Sequence, residues 1–366
     1  MRIGLVAPPW IPVPPPAYGG IESMVDTLAR GLAAAGHEVL LAASADSTCP
    51  VDLLPGLPVG DAASIGACVD ELRHSIIAYA GMADVDIIHD HTLAGGLYRH
   101  RPPTMPVAVT AHGPFAAGLG DVYRAIARDA ALVAISHHQA GTAPASVVRQ
   151  VIHHGLNTAA VRLGTGDGGY ACFLGRMHPS KGLLQAIQAA LLAQMPLRIA
   201  AKMYAPEEHE YFSAVIKPLL GPQIEYLGEL NTADKYALLG GAVALLNPIQ
   251  WPEPFGMVMI EALATGTPVV STPRGSAPEI VQDGLTGYLR GGLHGLAEAL
   301  LAAAALDRGA CRRAAEAQFS AERMVAEHVG FYEELLGGGH GGTKDGSRAT
   351  ARQGSREVGE AEFSGV

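Results

Sequence analysis

The stretch "NPIQWPEPFGMVMIEALATGTPVVSTPRGSAPEIVQDGLTGYL", residues 247–289, holds the densest set of structural signals in the chain. Pro252 and Pro254 bracket Glu253, restricting the backbone and leaving little freedom for helix there. A helix can begin at about Phe255 and run to Gly266. The amides of Phe255, Gly256, Met257 and Val258 then occupy its unsatisfied first turn, a good place for an anion. Glu261 is the only charge in the run "MVMIEALA". That helix is apolar on nearly every side and leads into the apolar strand 268–271, so it is expected to be buried. A buried carboxylate needs hydrogen-bond donors, which two adjacent ribose hydroxyls would supply. The plainer alternative puts Glu261 on a solvated helix edge or beside an arginine.

Outward from this unit, short apolar runs rich in Val and Ile alternate with Ala/Leu-rich helical stretches along most of the chain. Strands are expected at 3–7, 38–43, 85–89, 107–111, 132–135 and 151–153, then at 170–174, 197–201, 224–227, 243–246 and 269–271. They are predominantly apolar, as parallel strands covered on both faces should be. A helix at 21–35 follows Gly19-Gly20 and is closed by Gly36. This is the βαβ rhythm of a doubly wound α/β fold. It breaks at 157–169, where "LGTGDGG" reads as a linker. The expected division is 1–157 and 158–320 as two Rossmann-like domains facing a central cleft, and 321–336 as a helix crossing back to the first. The final segment, 337–366, has no Leu or Ile and is dense in Gly and charge, so disorder is expected.

The chain has 366 residues, 49% of them apolar, enough for two buried cores. A formal net charge of −10 argues against wrapping nucleic acid or binding an anionic membrane through bulk charge. The basic residues of the tail (Lys344, Arg348, Arg352, Arg356) balance its acidic ones (Asp345, Glu357, Glu360, Glu362), so the excess belongs to the folded part. An anionic ligand must therefore be held by a few placed cations and backbone amides. The cysteines (Cys49, Cys68, Cys172, Cys311) are scattered without metal-like spacing, which fits a reducing cytoplasmic setting. The N-terminus reads as lacking a signal peptide, and no run of about 18 apolar residues predicts a transmembrane helix. Peripheral contact with a membrane stays open.

Three further motifs carry chemistry. In "FLGRMHPSKG", residues 173–182, Arg176 and Lys181 straddle a turn from an apolar strand into the next helix. A lysine at a helix start opposes the dipole, so a diphosphate held by Arg, Lys and amides gives the pair a better reason than two solvated cations would. In "PPPAYGGIE", residues 14–22, Gly19 and Gly20 let the backbone approach a ligand before a helix begins, although a plain turn would look the same. Asp90, His91 and His112 follow strand ends, where doubly wound sheets expose functional groups. A metal site from those three is the minor alternative to structural hydrogen bonding. His137, His138, His153 and His154 also fall near strand ends, without a motif to assign them.

"EPFGMVMIE" resembles the E-x7-E element of the family-4 retaining glycosyltransferases of GT-B fold, and "EALATGTPVVST…GSAPEIVQDGLTGYL" continues that pattern. The resemblance implies that Glu261 binds donor ribose hydroxyls and that Glu253 approaches the donor sugar. It implies that the amides of Phe255, Gly256, Met257 and Val258 contact sugar and phosphate. Arg176 and Lys181 match the donor-phosphate positions, Gly19 and Gly20 the glycine loop opposite, and His112 a histidine near the donor sugar. The expected donor is a UDP-, GDP-, ADP- or dTDP-sugar, the acceptor a hydroxyl of unknown identity, with retention of configuration and no metal or other cofactor. A GT-B sugar-nucleotide epimerase, or a catalytically silent nucleotide-sugar-binding protein, would use the same cleft. One departure stands out: "IAAKMYAPEEHEYF", residues 199–212, replaces a glycine-rich turn common in the family.

Overall fold

A computed structural model describes residues 1–17 and 19–338; the end of the segment beginning at Gly337, residues 339–366, lies outside them. The first half carries strands β1 (Arg2–Val6), β2 (Glu38–Ala42), β3 (Asp52–Leu53), β4 (Ile87–Asp90), β5 (Val107–Ala111), β6 (Ala131–Ala134) and β7 (Val148–Val151). Helices α1 (Gly20–Ala34), α2 (Cys68–Gly81), α3 (Ala117–Ile126) and α4 (His137–Thr142) connect them. The second half carries β8 (Ala171–Arg176), β9 (Leu197–Lys202), β10 (Ile224–Gly228), β11 (Leu245–Asn247), β12 (Val269–Ser271) and β13 (Gly287–Leu289). Its helices are α5 (Leu183–Leu192), α6 (Pro206–Tyr211), α7 (Thr232–Gly241), α8 (Met257–Ala264), α9 (Ala277–Ile280), α10 (Leu293–Ala303) and α11 (Arg308–Phe319); α12 (Ala321–Gly338) follows.

Both sheets are parallel throughout, in the orders β3-β2-β1-β4-β5-β6-β7 and β10-β9-β8-β11-β12-β13. Each is the doubly wound α/β arrangement that the βαβ rhythm predicts, with strands buried between helical layers. The helices form for ordinary reasons. In α1, Met24, Val25, Leu28, Ala29 and Leu32 recur on one face and bury it. The helix stops where Gly36 turns into the left-handed region and donates its amide back to Ala33. Helix α12 returns from the second half to lie on α1, with Met324, Val325, Phe331 and Tyr332 in the core of the first sheet. It runs two residues past 336, through Gly338.

Several elements differ from the sequence expectation. Strand β7 lies at Val148–Val151 rather than 151–153, because its exposed edge carries Arg149 and Gln150 in place of an apolar run. β3 and β13 are too short to announce themselves. The glycine-rich stretch expected as a linker is strapped to the second half: Gly164, Gly166 and Gly168 donate to the carbonyls of Thr265, Gly240 and Gly241 at 2.9, 3.0 and 3.0 Å. Arg308 locks this strap, donating to the carbonyls of Gly164, Ala242 and Gly240 at 3.0 Å each and to Thr267 Oγ1 at 2.7 Å.

Arg308→Ala should therefore lower the unfolding free energy by about 2–4 kcal/mol, since several half-buried carbonyls lose a charged donor together. Urea denaturation measures this, and a loss below roughly half a kcal/mol would contradict the role given to the arginine.

Candidate functional site

In a doubly wound sheet the crevice opens where strand order reverses, because the loops leaving the two central strands diverge. Here those points are β1/β4 in one sheet and β8/β11 in the other. The two crevices face each other across one cavity of about 760 Å³. Gly19, Gly20 and His112 line it from the first half. Arg176, Lys181, Glu253, Phe255, Gly256, Met257, Val258 and Glu261 line it from the second, so the residues expected at the donor meet in one place, whereas Asp90 and His91 do not line it. The two walls meet closely at one point, where a Cβ on Gly20 would stand 3.8 Å from Met257 Cγ.

Local geometry explains each position. Arg176 is the last residue of β8 and pairs in register with Lys202, the last of β9, so two cations leave the sheet edge side by side. Lys181 ends a 3-10 turn, Pro179–Lys181, two residues before α5. Helix α8 begins at Met257 rather than Phe255: Gly256, at φ +99°, turns the chain into the helix, and Phe255 packs in the core just outside it. The first helical amides are thus those of Met257 and Val258. Glu253 is fixed from behind by Gly275, at φ +59°, where a Cβ would come within 2.4 Å of the Glu253 amide nitrogen. Ser276 donates its amide to the Glu253 carbonyl at 3.0 Å.

The charges are paired. Lys181 Nζ donates to Glu253, Lys235 Nζ to Glu261 Oε1 at 2.6 Å, and Arg176 Nη2 to Glu208 Oε1 at 2.6 Å. Glu261 is only 7% exposed, so it is buried with a lysine for its partner rather than an arginine or solvent. Burial works to raise the Glu208 carboxyl, yet the Tyr204 amide and Arg176 hold it below the usual range. The Trp251 ring lies 5.6 Å from Lys181 Nζ.

Sequence reasoning gave no role to several lining residues: Glu22, Lys202, Lys235 and Asn247, and His154, noted only as lying near a strand end. Glu22 could have been found as the one acid in the first turn of α1, two residues past the glycine pair. Burial raises its carboxyl from 4.5 to about 7. Lys202, 7% exposed, is shifted below the ordinary lysine value by burial and by the neighbouring Arg176. Its place at the end of β9, within the 199–212 stretch that departs from the glycine-rich pattern, was the available signal.

The histidines divide into two groups. His112 and His154 line the cavity with rings stacked at 5.4 Å, and burial takes His112 down to about 3, so it is neutral near pH 7. Asp90 does not join His91 and His112 in a ligand set. Its carboxylate accepts from Thr92 N at 2.7 Å and Tyr79 Oη at 2.8 Å. His137, His138 and His153 belong elsewhere. The Glu279 carboxylate of α9 accepts the amides of His137 and His138 at 2.8 and 2.6 Å and His153 Nε2 at 2.8 Å, clamping the two halves together. Among the described residues this trio of His137, His153 and Glu279 is the one cluster with donors close enough for a metal. Its carboxylate oxygens are already taken by amides.

A cleft with cations paired to carboxylates, a helix terminus on each wall and a neutral imidazole can hold an anion and adjacent hydroxyls together. Residues 162–304 match the family model "Glycosyl transferases group 1", and residues 18–160 match "Glycosyltransferase Family 4". The chain is 27% identical over 337 residues to a phosphatidyl-myo-inositol mannosyltransferase of Mycobacterium leprae, covering 82% of this chain and 87% of that protein. It is 29% identical over 168 residues to an N-acetyl-alpha-D-glucosaminyl L-malate synthase of Bacillus anthracis, an alignment that spans only 43% of either protein. Among solved structures, AviGT4, a glycosyltransferase involved in avilamycin A biosynthesis, is 28% identical with a TM-score of 0.73 over 92% of this chain and 98% of its own. HepE of Anabaena, solved with UDP and glucose, is alike in fold at 19% identity, with a TM-score of 0.70 over 91% of this chain and 99% of its own.

The raised carboxyl of Glu22 has a consequence for stability. The folded chain keeps this proton up to about pH 7, whereas the unfolded chain releases it near 4.5, so the stability it carries is full below 4.5 and is lost as pH rises to about 7. Glu22→Gln should match the parent at about pH 4 and exceed it at about pH 8 by on the order of 3 kcal/mol. Urea titrations at both pH values measure this; an offset equal at the two would contradict it.

Proposed function

Since the chain belongs to the family-4 glycosyltransferases of GT-B fold, we propose that it moves a sugar from a nucleotide-sugar donor to an acceptor hydroxyl with retention of configuration. The observation that carries the donor reading is the convergence of Arg176, Lys181, Glu253, Glu261 and the α8 terminus on one cavity. Its size suits a nucleotide-sugar. The UDP and glucose held by the Anabaena neighbour support a donor of this class.

In this reading Arg176 and Lys181 bind the diphosphate, aided by the amides of Met257 and Val258 and by the Gly19-Gly20 loop from the opposite wall. Glu261 accepts from ribose hydroxyls. Glu253 accepts from sugar hydroxyls, and His112 stands at the sugar end. As the anomeric bond breaks, negative charge grows on the leaving diphosphate, and preplaced cations and amides stabilise it without reorganising. A departing phosphate oxygen can take the acceptor proton when attack comes from the same face, which preserves configuration and requires no enzyme nucleophile. Lys181 leaves Glu253 for phosphate, freeing that carboxylate for the sugar. Lys235 can stay beside Glu261 while its second oxygen takes the ribose. No helix among the described residues is long and apolar enough to cross a membrane, and peripheral contact with a lipid-borne acceptor belongs to the same proposal.

Incubation with UDP-, GDP-, ADP- and dTDP-sugars, with and without candidate acceptors, tests the activity. Acceptor-dependent release of nucleoside diphosphate supports transfer; a changed sugar on an intact nucleotide, or binding alone, would overturn it in favour of epimerisation or of a silent binding protein. Within the site, Glu261→Ala should weaken donor binding roughly tenfold or more, and by more than Glu253→Ala, because two hydroxyls lose a charged acceptor. Equal donor affinities in calorimetry would sink the division of roles.

A further inference from the structure

His112 is not an isolated ring on the cavity wall. Its Nε2 lies 3.1 Å from Nδ1 of His91, a residue only 4% exposed that does not itself line the cavity. His91 is held from all sides. Its amide donates to the Val6 carbonyl at 2.9 Å, and its ring packs on His89 with centroids 4.2 Å apart. The preceding Asp90 is pinned by Tyr79 and Thr92, and a Cβ on Gly95 would strike its Oδ2 at 1.7 Å. His89 in turn bonds Tyr332 Oη of α12 at 2.6 Å and Thr110 Oγ1 at 2.7 Å. The direction of the His91 ring is thus set by the first sheet and by the returning helix together.

The other nitrogen of His91, Nε2, is buried and has no hydrogen-bond partner among the described residues. Stranding a polar atom costs free energy, and a leucine or phenylalanine would fill the space without that cost. The arrangement makes sense if Nδ1 is what the fold keeps. Burial holds both rings neutral, so the His91–His112 bond contains one proton. An N–H with nothing to donate to is rarer in proteins than a bare acceptor, so the partnerless Nε2 of His91 is the unprotonated nitrogen. The proton of His91 then sits on Nδ1 and is donated to His112 Nε2. His112, its Nε2 lone pair engaged, carries its own proton on Nδ1.

We propose that His91 is a positioning residue, which fixes the ring and tautomer of His112 so that His112 offers a Nδ1 N–H to an oxygen of the donor's sugar. This rests on the donor reading above. His154, stacked on His112 at 5.4 Å, packs against a face of the ring. The expected effect falls on the sugar and not on the nucleotide, which in the donor reading Arg176, Lys181 and Glu261 hold from the opposite wall.

The direct test is nitrogen-15 NMR of the full chain labelled on histidine, with His112 assigned by its loss in His112→Asn. The proposal expects a protonated Nδ1 and a bare Nε2 on His112; the reverse tautomer would overturn it. The functional test compares His91→Leu with His91→Asn, whose amide nitrogen can stand near the place of Nδ1. With UDP-glucose and UDP, or the pair the donor panel selects, His91→Leu should lose roughly tenfold in kcat/KM while affinity for the diphosphate alone stays within about twofold. His91→Asn should recover most of the loss. Equal losses in both variants, or an equal loss of diphosphate affinity, would make His91 structural and overturn the proposal. If His91→Leu does not fold, the tautomer and the asparagine variant decide. A parent chain that turns over no donor would defeat the transferase reading instead, and the tautomer would still be measured.

Discussion

A charge removed from water must find a partner, and the cleft of this protein is built around that requirement. Lys181 meets Glu253 in the loop before α8, Lys235 of α7 meets Glu261 of α8, and Arg176 at the end of β8 meets Glu208 of α6. Such pairs add little net stability, because desolvation offsets much of the attraction. What they do is hold cations and carboxylates at fixed points with their demand for partners already expressed. A ligand that brings phosphate oxygens for the cations and hydroxyls for the carboxylates exchanges partners rather than stripping water from bare charges. Glu22 is the exception that shows the rule: with burial dominant, its carboxyl keeps a proton up to about pH 7.

The pairing depends on backbone placement, and that comes from two parallel sheets whose order reverses at facing points. Parallel strands deliver all their C-terminal ends to one edge, so side chains distant in sequence arrive together. Arg176 and Lys202 are neighbours because β8 and β9 pair in register. Helix α12 contributes more than cover. Through Tyr332 and His89 it reaches the layer behind His112, so the returning helix is part of the support of the cavity wall.

Much of this was legible in the sequence. Strands at 107–111 and 269–271 were read to the residue, since apolar β-branched runs bounded by turn residues leave few alternatives. The residues expected at the donor reached one cavity, because their motifs follow strand ends and topology does the rest, while Asp90 and His91 lie behind its wall. Other features depend on partners remote in sequence. Strands β3 and β13 exist only through pairing with β2 and β12. Helix α8 starts two residues late because Gly256 adopts a left-handed turn that residue type permits without requiring. Lys235, 26 positions from Glu261, carries no local mark of its partnership, and the glycine-rich stretch looks like a linker until Arg308 is seen against it. The clamp of Glu279 on His137, His138 and His153 was equally invisible, being a contact between the two halves.

The central claim is that one anionic, hydroxyl-bearing ligand engages both walls of this cleft at once. Hydrogen exchange of backbone amides, followed by mass spectrometry with and without a saturating nucleotide-sugar, tests it most directly. The account expects slower exchange in two segments together, the Gly20–Ser23 start of α1 and the Gly256–Met259 start of α8, from opposite halves of the chain. Slowing in neither segment, or changes confined to surfaces away from the cavity, would contradict it.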